Sequence, residues 1–88
     1  MERTVDIVPE AGLHARPASQ FVQTVNEYDA TVTVGHADGD DPVPANSMLS
    51  VTGLNAKQGD SLRIVADGPE AEAALDAIEA VLTMPVED

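Results

Sequence analysis

The chain has no cysteine, which removes a disulfide framework, a thiolate metal site and a cysteine nucleophile together. It has no tryptophan, one phenylalanine and one tyrosine, so its core must be aliphatic and no aromatic set is available to line a small-molecule pocket. Basic residues are scarce as well. Four of them, with Lys57 the only lysine, stand against 16 acidic residues, for a net charge of −12. Such a surface cannot offer the basic patch that nucleic acid or an anionic membrane requires, and neither is expected as a partner. No apolar run approaches the roughly 20 residues needed to cross a bilayer. Met1-Glu2-Arg3-Thr4 lacks the basic-then-apolar stretch of a secretory signal, so a cytoplasmic location is expected.

What remains is a chain of 88 residues with 43% hydrophobic content, room for one domain over residues 1–88. Acidic chains are often disordered, but here the apolar residues are numerous and periodic, which predicts a folded monomer under an acidic skin. That skin suits a saline cytoplasm, where the Debye length shrinks to about 3 Å near 1 M salt. A surface matched to a basic partner is the alternative.

Thr4 to Val8 alternates, with Val5 and Ile7 on one side, and reads as a half-buried strand closed by Pro9 and Gly12. Ala18, Phe21, Val22, Val25 and Tyr28 fall at helical spacing and predict a helix from Arg16 to Glu27. Thr31 to Gly35 is β-branched and alternating, a second strand, followed by a turn at Asp38-Gly39-Asp40. Asp41 to Pro44, with two prolines, can form only a short edge strand. Asn46 and Ser47 can cap a short helix through Met48, Leu49 and Val51, ended by Gly53 or Asn55. Ser61 to Ala66 alternates again. Pro69 then suits a first helical position, with Glu70 and Glu72 in the first turn. That last helix buries Ala71, Ala74, Leu75, Ile78, Val81 and Leu82 and stops at Pro85. The order βαββαβα with short connections predicts an α+β domain: a four-stranded antiparallel sheet with two long helices and one short helix on one face, an open-faced sandwich.

The chemistry concentrates in Gly12-Leu13-His14-Ala15-Arg16-Pro17-Ala18, where the loop opens the first helix. Unpaired N–H groups of a first turn and the helix dipole favour an anion there. A guanidinium at Arg16 can grip phosphate oxygens in a fork, and Pro17 loses no helical hydrogen bond so early. The same helix end disfavours imidazolium at His14, leaving a neutral ring with a nucleophilic nitrogen. These residues suit a histidine that becomes phosphorylated; by spacing and composition alone, a His followed by Arg at a helix start is more often a capping or solvated surface pair.

At these residues the sequence resembles the histidine-containing phosphocarrier family, HPr, of the phosphoenolpyruvate-dependent sugar phosphotransferase system, over essentially its whole length. The resemblance implies that His14 accepts a phosphoryl group on Nδ1 from phosphorylated enzyme I and passes it to an enzyme IIA domain. It implies Arg16 as the stabilising cation and the backbone of Ala15 and Arg16, ahead of Pro17, as part of the phosphate cradle. It places Ser47 where some relatives are phosphorylated by a dedicated kinase, although a plain capping serine fits Ser47 as well. Partner docking maps onto Gln20, Met48 and Leu49. Where relatives carry basic residues on that face this chain has Gln20, Gln23, Asn26 and Ser50, so apolar contact is expected to replace charge steering.

A carrier of this kind needs no cofactor, no metal and no small-molecule turnover of its own. A regulatory interaction module switched at His14 or Ser47 is the competing reading, and an acidic scaffold with an incidental His14 the third. His36, at a strand end without an arginine neighbour, is expected to be an exposed surface residue, and Asp38, Asp40 and Asp41 a solvated turn rather than a calcium loop.

Overall fold

The computed structural model describes residues 1–8, 12, 16–39 and 42–83. Among these described residues four strands and three helices follow in the order β1 (Glu2–Asp6), α1 (Arg16–Asn26), β2 (Thr31–His36), β3 (Val43–Pro44), α2 (Met48–Gly53), β4 (Ser61–Asp67) and α3 (Ala71–Thr83). The strands form one antiparallel sheet in the order β1-β4-β2-β3. The last strand therefore lies between the first two, and helical crossovers carry the chain from β1 to β2 and from β3 to β4.

Alternation in the strands decides which face is covered. Val5 of β1, Val32 and Val34 of β2, and Leu62, Ile64 and Ala66 of β4 are buried, while Thr4, Thr31, Arg63 and Asp67 between them are not. On the covered side α1 contributes Ala18, Phe21 and Val25, α2 contributes Val51, and α3 contributes Ala71, Ala74, Leu75, Ile78 and Leu82. Phe21 is fully buried, the one aromatic centre of an aliphatic cluster. Val22, Tyr28 and Val81 pack at its margin. Each fully buried Leu, Ile or Val contributes about 1.5–3 kcal/mol of transfer free energy.

Element boundaries differ from the sequence expectation at several elements, β1, α1, β2, β4 and α3 among them. β1 spans Glu2–Asp6 rather than Thr4 to Val8, because Ile7 and Val8 leave the ladder: the Ile7 N–H donates to the Asp60 carbonyl and the Val8 N–H to the Leu82 carbonyl, both at 2.9 Å. α1 stops at Asn26, with Glu27 in the turn behind it. β2 and β4 each run one residue further, to His36 and Asp67, which keeps their mutual ladder in register from Thr31↔Asp67 to His36↔Leu62. α3 starts at Ala71, not at Pro69. Gly68 has φ +136°, and a Cβ on it would stand 2.8 Å from the Asp29 carbonyl oxygen, so the chain turns tightly there before a helix can begin.

The short helix ends as its sequence suggests. Gly53 is its last residue, and Asn55, with φ +57°, takes the left-handed conformation that asparagine tolerates. Among the described residues no helix is long and apolar enough to cross a membrane. Asp40, Asp41 and Pro85, which figure in the expected hairpin turn and helix stop, lie outside the described residues, while Asp38 is exposed.

Candidate functional site

His14 and Ala15 lie outside the described residues, so the site is built from what frames them. Gly12 is buried and has φ +71°. A Cβ at this position would stand 2.5 Å from the Ala56 carbonyl oxygen and 2.8 Å from the Lys57 Cα, both backbone atoms that cannot step aside. Only glycine permits both the conformation and the approach. Before it, Val8 is tied by its N–H to Leu82 and by its carbonyl, which accepts from Gln58 Nε2 at 3.0 Å. After it, Arg16 opens α1 as an exposed residue and Pro17 is buried beneath the first turn. Residues on either side of His14 are thus fixed to three elements: the end of α3, the 56–60 turn and the start of α1.

Electrostatics set Arg16 apart. Arg3, on the covered side of β1, donates to Asp76 at 2.7 Å and Glu79 at 3.1 Å of α3, and that hydrogen bond to Asp76 holds its guanidinium above the ordinary arginine range. Arg63 lies on the open sheet face, 3.7 Å from Glu2. Among the described residues Arg16 forms no ion pair. A cation without an ion-pair partner among the described residues, at a helix start in a chain of net charge −12, suits an incoming anion.

The short helix supplies a second feature. Ser47 caps it with φ −110° and ψ 116°, and its Oγ accepts from the Ser50 N–H at 3.3 Å. Val51 is fully buried and anchors α2, whereas Met48 is 39% and Leu49 84% exposed. α1 packs beside α2, with Gln20, Gln23 and Asn26 exposed on α1 and Ser50 half-buried on α2. Gln20, Met48 and Leu49 are therefore all exposed on two neighbouring helices, as docking to a partner would require.

One expectation is corrected. His36 is half-buried rather than an exposed surface residue, and its Nε2 lies 2.7 Å from the Leu54 carbonyl oxygen at the end of α2. Residues without a role in the sequence reading also enter the site: Ala56 and Lys57 form the seat of Gly12, and Gln58 holds Val8. The single lysine in a strongly acidic chain was the one signal that could have drawn attention to this turn.

Comparison with known proteins supplies the family and agrees with the fold. The family model "PTS HPr component phosphorylation site" matches residues 1–84. The phosphocarrier protein HPr of Haloferax volcanii is 62% identical over 85 residues, 97% of this chain and 96% of that protein. The phosphocarrier protein HPr of Streptomyces coelicolor is 41% identical over 87 residues, 99% of this chain and 92% of its own length. The crystal structure of a phosphocarrier protein HPr from Bacillus anthracis superposes with a TM-score of 0.87 at 33% identity, covering 93% of this chain and 95% of that one.

Proposed function

The chain belongs to the HPr family of phosphotransferase-system phosphocarriers, and on that footing we propose that it takes a phosphoryl group onto Nδ1 of His14 from phosphorylated enzyme I and hands it to an enzyme IIA domain. The observation that carries this reading is Arg16: an exposed cation at the first residue of α1, without an ion-pair partner among the described residues, two positions from the histidine. In the transfer step the lone pair on neutral Nδ1 attacks phosphorus. The bond between phosphorus and the donor breaks as the new one forms, and its electron pair leaves with the donor atom. The Arg16 fork and the first-turn N–H groups, with the backbone of Ala15 and Arg16 ahead of Pro17, neutralise the transferred dianion.

The protein acts as a cytoplasmic monomer without turnover of a small-molecule substrate. Catalysis at each transfer is completed by the partner, which docks on Gln20, Met48 and Leu49. Ser47 serves first as the cap of α2, and a phosphate placed there by a kinase would add about −1.5 to −2 charge beside the docking residues.

Onward transfer tests the carrier role. Protein labelled through phosphoenolpyruvate and enzyme I is mixed with an enzyme IIA domain, and the label is followed by phosphorus NMR. Rapid appearance of phosphate on the IIA domain supports a carrier; label that stays on this protein points instead to a module whose phosphorylation only regulates binding.

A further inference from the structure

The edge strand of the sheet is too short to cover β2. β3 pairs with it only at Thr33↔Pro44 and Val34↔Val43. The Ala45 N–H extends that contact by one bond, 2.9 Å to the Val32 carbonyl, before the chain leaves for α2. Among the described residues Thr31 therefore has β4 on one side, opposite Asp67, and no strand on the other.

A cavity of about 290 Å³ occupies this gap, bounded by the edge of β2, the end of α1 and the turn from β3 into α2. Val25 and Val32 bring the buried core to its wall. Asn26, Tyr28, Thr31, Thr33 and Asn46 supply the polar part of the lining, and each is exposed or half-buried. Among the described residues none of these five side chains takes part in a hydrogen bond, whereas the hydroxyls of Thr52, Ser61 and Thr83 are engaged within the protein.

The lining sets the chemistry of an occupant. It holds no charged side chain, and the charged residues that adjoin it, Glu27, Asp29 and Asp67, are all acidic. An anion would meet repulsion there, and a cation would exchange its water for neutral oxygens with no carboxylate among them. Two amides and three hydroxyls both donate and accept, which is the pattern that pairs with hydroxyl groups. One tyrosine ring, apolar on its face and polar at its tip, suits a ring that is likewise apolar on its faces and hydroxylated at its edge. The volume stands at the lower end of small-molecule sites, roughly 300 Å³.

We infer that this cavity binds an uncharged polyhydroxylated molecule of monosaccharide size, through the amides of Asn26 and Asn46 and the hydroxyls of Tyr28, Thr31 and Thr33. The cavity lies at the opposite end of α1 from Arg16, about 15 Å along the helix axis, so the inference stands whether or not His14 carries phosphate. Asn46 adjoins Ser47, the cap of α2, and an occupant borders the helix that presents Met48 and Leu49.

The test titrates the full chain with glucose, glucose 6-phosphate and glycerol while following the amide NMR spectrum and the fluorescence of Tyr28, the only tyrosine in a chain without tryptophan. Glucose should give saturable shifts centred on residues 25–33 and 44–46, with a dissociation constant on the order of millimolar. Glucose 6-phosphate and glycerol should each bind at least about tenfold more weakly, the first for its charge and the second for its size. Asn46→Ala and Thr33→Val each remove one polar partner and should weaken glucose on the order of two- to tenfold, while their amide spectra show the fold intact. Thr4→Val, on β1 outside the lining, should bind as wild type does. Shifts that grow without saturation, an equal response to glycerol, or 6-phosphate binding as tight as glucose overturns the inference. So does unchanged affinity in both Asn46→Ala and Thr33→Val. None of these outcomes touches the reading of His14, which is tested by phosphoryl labelling alone.

Discussion

The ring of His36, at the end of β2, donates through Nε2 to the carbonyl of Leu54, 2.7 Å away at the close of α2. A carbonyl can only accept, so the neutral ring must carry its proton on Nε2. Nitrogen NMR should find that tautomer, and a neutral ring protonated on Nδ1 would contradict the bond. Deleting it by His36→Ala should cost about 0.5–1.5 kcal/mol in denaturant unfolding. Amide exchange should accelerate first in α2, whose last turn loses its tie to the sheet.

Gly12→Ala places a Cβ against the Ala56 carbonyl and strains a backbone at φ +71°. A loss of about 1–3 kcal/mol is expected. Because Gly12 seats the loop ahead of His14, phosphoryl acceptance should slow at temperatures where the variant remains folded. Unfolding curves paired with labelling rates on the same sample check both effects, and an unchanged rate in a destabilised variant would separate the seat from the chemistry.

Leu49 is 84% exposed and Val51, two residues on, is fully buried, so truncating each should have opposite consequences. Leu49→Ala should leave stability within about 0.5 kcal/mol while raising the KM for enzyme I and for enzyme IIA. Val51→Ala should cost about 1–3 kcal/mol of stability. With Gln20, Gln23 and Asn26 exposed and uncharged on the helix that packs next to α2, affinity for partners should persist from low to molar salt. Titration calorimetry across salt concentrations checks it, and a steep decline with salt would show that charge steering governs docking.

Arg3→Gln cuts the link between β1 and α3 at Asp76 and Glu79. Both carboxylates are exposed, so the loss should be no more than about 1 kcal/mol at low salt and should fade toward molar salt. Thermal unfolding of the pair of proteins at two salt concentrations measures it.

The sheet and its covered face were legible because alternation in Ser61 to Ala66 and in Thr31 to Gly35 reports burial directly, and the stripe from Ala18 to Val25 does so for α1. Boundaries were less so. Glu2 and Arg3 carry no apolar signal, yet they join β1 because β4 offers partners at Val65 and Ile64 and because Arg3 reaches acidic residues of α3. The start of α3 was displaced by the tight approach of Gly68 to Asp29, a contact between residues distant in sequence. Arg16 and Pro17 stand at the start of α1, where the sequence placed them. The bond between His36 and Leu54 and the seat of Gly12 on Lys57 join segments that only the folded chain brings together, and no local pattern announces either one.

The most direct measurement is the intact mass of the protein after incubation with phosphoenolpyruvate and enzyme I, recorded before and after mild acid. Wild type and His36→Ala should each gain one acid-labile phosphoryl group and His14→Ala none. Labelling that survives in His14→Ala, or a folded wild type that gains no mass, would contradict the account.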